Sequence, residues 1–258
     1  MGRPRSLEGR TILVTRPAEQ AGPLVGELKR RGARVLVAPS IRLVPARSSA
    51  LTRALRELTD GGFAWITLTS AATVDVLRDR LSAPSDVRAK VAAIGDGTAA
   101  AFRRWSHREP DLEPPTFTTT ALARAFPSGS GRVLCARADI APEGLEHTLA
   151  RKGWEPTRVD AYRTVFARSL PRQVGGALAR GEVDAVTFTS ASTVRGFADA
   201  LRDPPASVRT VAIGPVTAAA AREHGFDVVR VARPHTIDGL VEAVERALAR
   251  SPRGTLRS

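Results

Sequence analysis

The chain has 258 residues, 43% of them hydrophobic and 25% charged; these are globular proportions, with room for one large domain or two of about 120 to 130 residues. No apolar run approaches the roughly 18 residues that span a membrane. The N-terminus MGRPRSLEGRT lacks the apolar centre of a secretory signal, and a lone cysteine, Cys135, excludes an internal disulfide, so a reducing cytoplasm is expected. The net charge of +13 points to an acidic partner, but the arginines form no block and aromatic residues, at 5%, are too few for base stacking. Nucleic acid is therefore not the expected partner.

In chain order, MGRPRS matches the loose M-G-x-x-x-S myristoylation pattern with no other sign of lipidation. TILVT then reads as a buried strand, and the segment from about Ala18 to Arg31 as a helix with Leu24, Val25 and Leu28 on one face and Gly32 to end it. RVLVA, AWITLT and VAAI are further short apolar runs, four to six residues long and mostly not alternating. That is the pattern of parallel strands covered on both faces. Strands alternating with helical stretches predict a parallel α/β architecture.

The chain repeats itself. TLTSAATV (Thr67 to Val74) returns as TFTSASTV (Thr187 to Val194), 120 residues on, with six of eight positions identical. ILVTRPAEQAGPLVGELKRRGARVLVAPSIRLV aligns without a gap on VLCARADIAPEGLEHTLARKGWEPTRVDAYRTV at a shift of 121, which pairs Arg16 with Arg137 and Arg42 with Arg163. AAIGDGTAAA matches VAIGPVTAAA at a shift of 119, and TTTALARA resembles TIDGLVEA. A unit this long is a duplicated half, not a solenoid repeat of about 20 to 50 residues.

Each repeated phrase reads as a strand end feeding a helix. Ser70 and Ser190 fall where an N-cap is needed. The glycines and threonines of Gly95–Thr98 and Gly214–Thr217 have the same form. A helix N-terminus leaves unpaired N–H groups and partial positive charge, and ligands of open α/β sheets bind at these carboxyl ends. Two matched pairs of anion seats are the expectation.

Other chemistries find no motif. GDGT and GPVT lack the lysine of a phosphate-binding loop, and no G-x-G-x-x-G follows a first strand. His107, His147, His224 and His235 lie far apart in sequence, which predicts no metal site, and no G-x-S-x-G elbow occurs. Cys135, Trp65 and Trp154 read as core residues. Tyr162, the single tyrosine, stands in VDAYRTVFAR where the other copy has Ile41. A phenol there is either structural or, in a cleft, a proton donor to a leaving group.

In order and spacing, ILVTRPAEQA, LKRRGARVLVAPSIRLVP, the TSAATV and TSASTV pair, AYRTV, AIGPVTAAAAREHGF and PHTIDGLVEAV resemble the uroporphyrinogen-III synthase family from about Arg10 to Arg250. The Arg/Pro-rich start and the tail SPRGTLRS fit it least and read as non-essential. The resemblance implies two similar flavodoxin-like parallel-sheet α/β domains, joined by a two-stranded β-ladder and with the first domain discontinuous. On this chain the domains would be 1–38 plus 167–258 and 46–159, with ladder strands at 39–45 and 160–166. The implied substrate is hydroxymethylbilane, a linear tetrapyrrole with eight carboxylates, closed to uroporphyrinogen III with loss of water and inversion of the terminal ring. No metal or organic cofactor is implied.

The resemblance places Tyr162 as the group that helps the hydroxyl depart, with Thr98 and Thr217 assisting. Substrate carboxylates would be held after the strands by Thr69, Ser70, Ala71 and Gly95, and by Thr189, Ser190, Ala191, Gly214 and Pro215. Arg16, Arg137 and Arg163 are added for charge and position. A monomer is expected, receiving substrate from hydroxymethylbilane synthase. The alternatives are a tetrapyrrole-binding sensor without catalysis, or, on charge alone, a nucleic-acid binder; the presence of Tyr162 favours the enzyme.

Overall fold

A computed structural model describes residues 6–201 and 208–249. The start and the tail read above as non-essential, and the myristoylation pattern, fall in whole or in large part outside the described residues. Ten strands and ten α-helices alternate among those described: β1 (Thr11–Val14), α1 (Ala18–Arg30), β2 (Arg34–Val37), β3 (Ile41–Pro45), α2 (Ser49–Thr59), β4 (Trp65–Leu68), α3 (Ala71–Arg80), β5 (Lys90–Ala93), α4 (Gly95–Ser106), α5 (Thr119–Ala125), β6 (Arg132–Ala138), α6 (Gly144–Arg151), β7 (Glu155–Phe166), α7 (Arg172–Ala179), β8 (Ala185–Phe188), α8 (Ala191–Leu201), β9 (Arg209–Ala212), α9 (Pro215–Glu223), β10 (Val228–Val231) and α10 (Ile237–Leu248). The chain is α/β, as its alternating pattern requires.

The elements form two compact units, one of residues 1–42 and 165–258, the other of residues 43–164. The first holds a sheet in the order β10-β9-β8-β1-β2, the second a sheet in the order β3-β7-β6-β4-β5. The pairs β1–β2, β1–β8, β8–β9 and β9–β10 are parallel, as are β4–β5, β4–β6 and β6–β7. Under the sequence repeat, β9-β8-β1-β2 becomes β5-β4-β6-β7, so four strands of each sheet have the same wiring. Each sheet takes two of these strands from one copy and two from the other. Even β10 has a vestigial counterpart, a single bridge from Ala92 to Leu112 beside β5.

Strand burial follows from this layering. In β1, Ile12 and Val14 face a core with Leu24 and Leu28 of α1 and Leu240 and Val244 of α10. Leu13, on the other face, packs with Phe188, Phe197 and Phe226. In β6, Val133 and Cys135 face Leu122, Phe126, Leu145 and Leu149, and Leu134 and Ala136 face the side of α2, α3 and α4. Helices cover both faces, so no polar alternation survives in these strands. Each such Leu or Phe contributes about 1.5–3 kcal/mol by leaving water. Trp65 and Trp154 sandwich Phe126, with ring centroids 4.8 and 5.9 Å from it, and Trp154 Nε1 donates to Pro127 O at 2.7 Å.

Two details bear on function. β7 is one strand of 12 residues, so residues 160–166 continue a member of the second sheet, with β3 beside it. Ala167 N donates to Ser40 O and Ala46 N to Ala161 O, both at 2.9 Å, which makes β3 antiparallel to β7. Within β7 the register slips: Arg137 of β6 pairs with Asp160, but Ala138 pairs with Tyr162. Ala161 is the extra residue of a bulge, which breaks strand alternation and re-aims the side chains after it. Ala161 and Tyr162 are consecutive and both buried.

Candidate functional site

The carboxyl ends of the central strands in each unit collect the polar groups. In the residue 43–164 unit, β4 ends at Leu68 and Ser70 caps α3, its Oγ accepting from Ala72 N at 3.2 Å. Thr73 Oγ1 donates to Ala136 O at 3.2 Å, tying the start of α3 to β6. In the other unit Ser190 and Thr193 cap α8 reciprocally: Ser190 Oγ accepts from Thr193 N and Thr193 Oγ1 from Ser190 N, each at 3.2 Å. Ser190 Oγ also lies 3.1 Å from Ser192 Oγ. Thr15 Oγ1 donates to Thr187 O at 2.9 Å and locks β1 to β8 at that end. The repeated phrase is therefore a strand end and a cap, with its last threonine buried in both copies.

The second pair of seats differs between units. Gly95 opens α4 at φ +71°, and a Cβ there would stand 2.8 Å from Cγ of Phe117. Gly214 is in extended backbone at φ −165°, with the His235 ring 3.7 Å from where a Cβ would be. Each ring immediately precedes the threonine that caps the last helix of its copy, Thr118 for α5 and Thr236 for α10. The sequence alone did not single out Phe117 and weighed His235 only as a metal ligand; the signal was their shared place before TTTALARA and TIDGLVEA. Pro215, named as a binding residue, has no N–H to offer. It supplies only a preset first-turn angle, so this seat has one donor fewer. Thr98 and Thr217 lie in the first turns of α4 and α9 and are both buried.

Tyr162 is 7% exposed and packs with the core of α2, α3 and α4. Burial raises its pKa; a hydrogen bond with the Ser70 side chain and the field of Arg137 oppose the rise, and Asp139 adds to it. The phenol is thus a neutral donor at the end of β4, beside the α3 cap. Asp139 N donates to Tyr162 O at 3.1 Å, and Asp139 Oδ1 accepts from Thr164 N at 3.0 Å, which holds the strand at the tyrosine and just after it. Cys135 is buried opposite Thr67 and its thiol is pushed up to about 12 by burial, consistent with a core residue.

The arginines separate. Arg137 is 2% exposed, and its Nη1 bonds both carboxylate oxygens of Glu146, at 3.0 and 2.9 Å, and Pro142 O at 2.8 Å. Arg16, at the end of β1, is half-buried and its Nη2 reaches Gln20 Oε1 at 3.4 Å. Arg163 is exposed on β7. So Thr69, Ser70, Ala71, Gly95, Thr98, Arg137 and Tyr162 gather at the strand ends of one unit, and Arg16, Thr189, Ser190, Ala191, Gly214, Pro215 and Thr217 at those of the other. A concavity of about 380 Å³ lined by Thr52, Arg56, Arg80 and Asp86, among others, contains none of them. Strand-end amides and caps suit carboxylates rather than a metal.

The chain matches a family profile described as uroporphyrinogen-III synthase HemD over residues 22–242. It is 31% identical to uroporphyrinogen-III synthase of Synechococcus elongatus, covering 93% of this chain and 96% of that one. It is 33% identical to porphyrin biosynthesis protein HemD of Ruminiclostridium josui over 92% of its own length, and spans about half (48%) of that longer relative. A solved uroporphyrinogen III synthase from Thermus thermophilus shares the fold at a TM-score of 0.67 with 21% identity, covering 93% of this chain and 98% of that one. One from Helicobacter pylori shares it at 0.60 with 16% identity, covering 91% and 98%.

Proposed function

We propose that this chain, which belongs to the uroporphyrinogen-III synthase family, is an enzyme of tetrapyrrole biosynthesis that closes hydroxymethylbilane to uroporphyrinogen III. The match to the family profile over residues 22–242 carries this reading. The site suits it: the substrate has eight carboxylates, and each unit offers strand-end donors.

In this reading the terminal hydroxymethyl group loses its hydroxyl as water, with a pyrrole nitrogen lone pair stabilising the resulting azafulvene. Tyr162 keeps its proton through the neutral range, because burial raises its pKa, and donates a hydrogen bond to the departing oxygen. The far pyrrole then attacks through its substituted carbon to give a spiro intermediate, whose rearrangement inverts the ring before closure releases a proton. The protein's larger task is to hold the chain curled so that this path precedes simple end-to-end closure. The seats at Thr69–Ala71, Gly95–Thr98, Thr189–Ala191 and Gly214–Thr217 hold carboxylates through backbone N–H groups, except at Pro215, which has none, and at Ser190, whose N–H is taken by Thr193 Oγ1. Thr98 and Thr217 assist through their hydroxyls.

We place the enzyme in the cytoplasm as a monomer that takes substrate from hydroxymethylbilane synthase. Among the described residues no helix is long and apolar enough to cross a membrane. A coupled assay tests the reaction: hydroxymethylbilane is generated in situ, the products are oxidised, and isomers are separated. Mostly type III product is expected. Type I alone, the product of unassisted closure, would leave the chain as a tetrapyrrole binder without the chemistry.

A further inference from the structure

Arg16 and Arg137 hold the same place in the repeat and the same place in their sheets. Each stands at the carboxyl end of a strand, Arg16 just past β1 and Arg137 next to last in β6, and that strand lies beside the neighbour where strand order reverses, β8 or β4. Both have a buried Nε with no hydrogen-bond partner. Their charges meet different surroundings. Arg137 is neutralised inside the fold by Glu146 on α6, with Arg158 also 3.9 Å from that carboxylate. The repeat position of Glu146 in the first copy is Val25 on α1, an apolar side chain packed against the core. Arg16 accordingly makes no ion pair among the described residues, and its one hydrogen bond is the 3.4 Å contact with the neutral Gln20 amide.

A guanidinium does not lose its charge in a protein, and removing it from water without a counter-charge is costly. Burial alone accounts for the lowering of the Arg16 pKa, with no carboxylate acting against it. Among the described residues the end of β1 therefore carries a half-buried cation with no counter-charge, and the charge of its counterpart on β6 is already balanced by Glu146. We propose that Arg16 receives a carboxylate of the ligand through its planar fork, that Arg137 does not, and that anion recognition by these paired arginines belongs to one unit only. This rests on the octacarboxylate reading above and adds which arginine does the work. Duplication supplied two equivalent arginines; the change between Val25 and Glu146 made one a structural ion pair and left the other open to ligand.

Uroporphyrin III, a stable octacarboxylate, serves as probe, titrated into the full chain and followed by its fluorescence. Arg16→Met is expected to weaken binding about ten- to hundredfold, the worth of a charge-assisted hydrogen bond, with a melting temperature equal to or above that of the parent chain. Arg16→Lys should recover part of the affinity, since it keeps the charge and loses the fork. Val25→Glu should weaken binding by supplying the missing acid. Arg137→Met should lower the melting temperature and reduce affinity less than Arg16→Met does. Binding of Arg16→Met within about twofold of the parent would overturn the inference; if the parent chain still forms type III product, the proposed function stands without it. A parent chain that binds no uroporphyrin and yields only type I product would overturn both.

Discussion

Arg137 Nη1 lies 3.0 Å from one carboxylate oxygen of Glu146 and 2.9 Å from the other, and both side chains are buried. An ion pair removed from water is costly to halve, because the partner left behind is an uncompensated charge. Glu146→Ala is expected to lower unfolding free energy by about 3–5 kcal/mol, read from urea denaturation. The double change Arg137→Met with Glu146→Leu should recover most of the loss, since a buried pair replaced by apolar groups is often neutral. A single variant as stable as the parent would remove the pair's structural role.

Gly95 and Gly214 are repeat partners under different constraints. At Gly95 an added methyl meets both a left-handed φ and the Phe117 ring, so Gly95→Ala should cost about 1–3 kcal/mol. Adding Phe117→Ala should relieve the steric part and leave the backbone part. Gly214→Ala should be far milder, with an extended backbone and 3.7 Å to the nearest His235 atom. Equal losses at the two sites in thermal unfolding would contradict this account.

Tyr162→Phe removes the donor and keeps the ring that fills the core. Turnover is expected to fall roughly tenfold to a hundredfold, the worth of one hydrogen bond to developing charge. Product affinity should change less. Equal loss of both, or loss of neither, would take Tyr162 out of the chemistry.

Tyr162 and Cys135 also predict a pH dependence. Burial raises the phenol above its ordinary 10.0 and the thiol from 9.0 to about 12. Above the ordinary values the unfolded chain gives up protons that the folded chain keeps, so stability falls as pH rises. Unfolding free energy should be insensitive to these two groups below about pH 9 and decline from there. As the single tyrosine, Tyr162 allows a direct check: its phenolate absorbance should rise only above pH 10.0 in the folded state. The single thiol should likewise resist an aromatic disulfide reagent until the chain unfolds.

Much of the architecture was legible in the sequence because it follows from local rules. Unbroken apolar runs such as TILVT and AWITLT announce strands covered on both sides, Gly32 and Gly153 end helices at positive φ, and TSA-x-TV spells a strand end and its cap. The duplication was visible as text. Tertiary structure decided what depends on groups distant in the chain. Which copy's strands share a sheet is a matter of pairing, and the β1–β8 and β4–β6 contacts join one copy to the other. The bulge at Ala161 is a mismatch between β6 and β7, and neither strand announces it alone. Arg16 and Arg137 look alike in a line of letters, and the placing of Phe117 over Gly95 lies 22 residues beyond the turn it restricts. Periodicity and capping energies are local and can be read from neighbours, whereas the solvation of a charge depends on every group the folded chain brings around it.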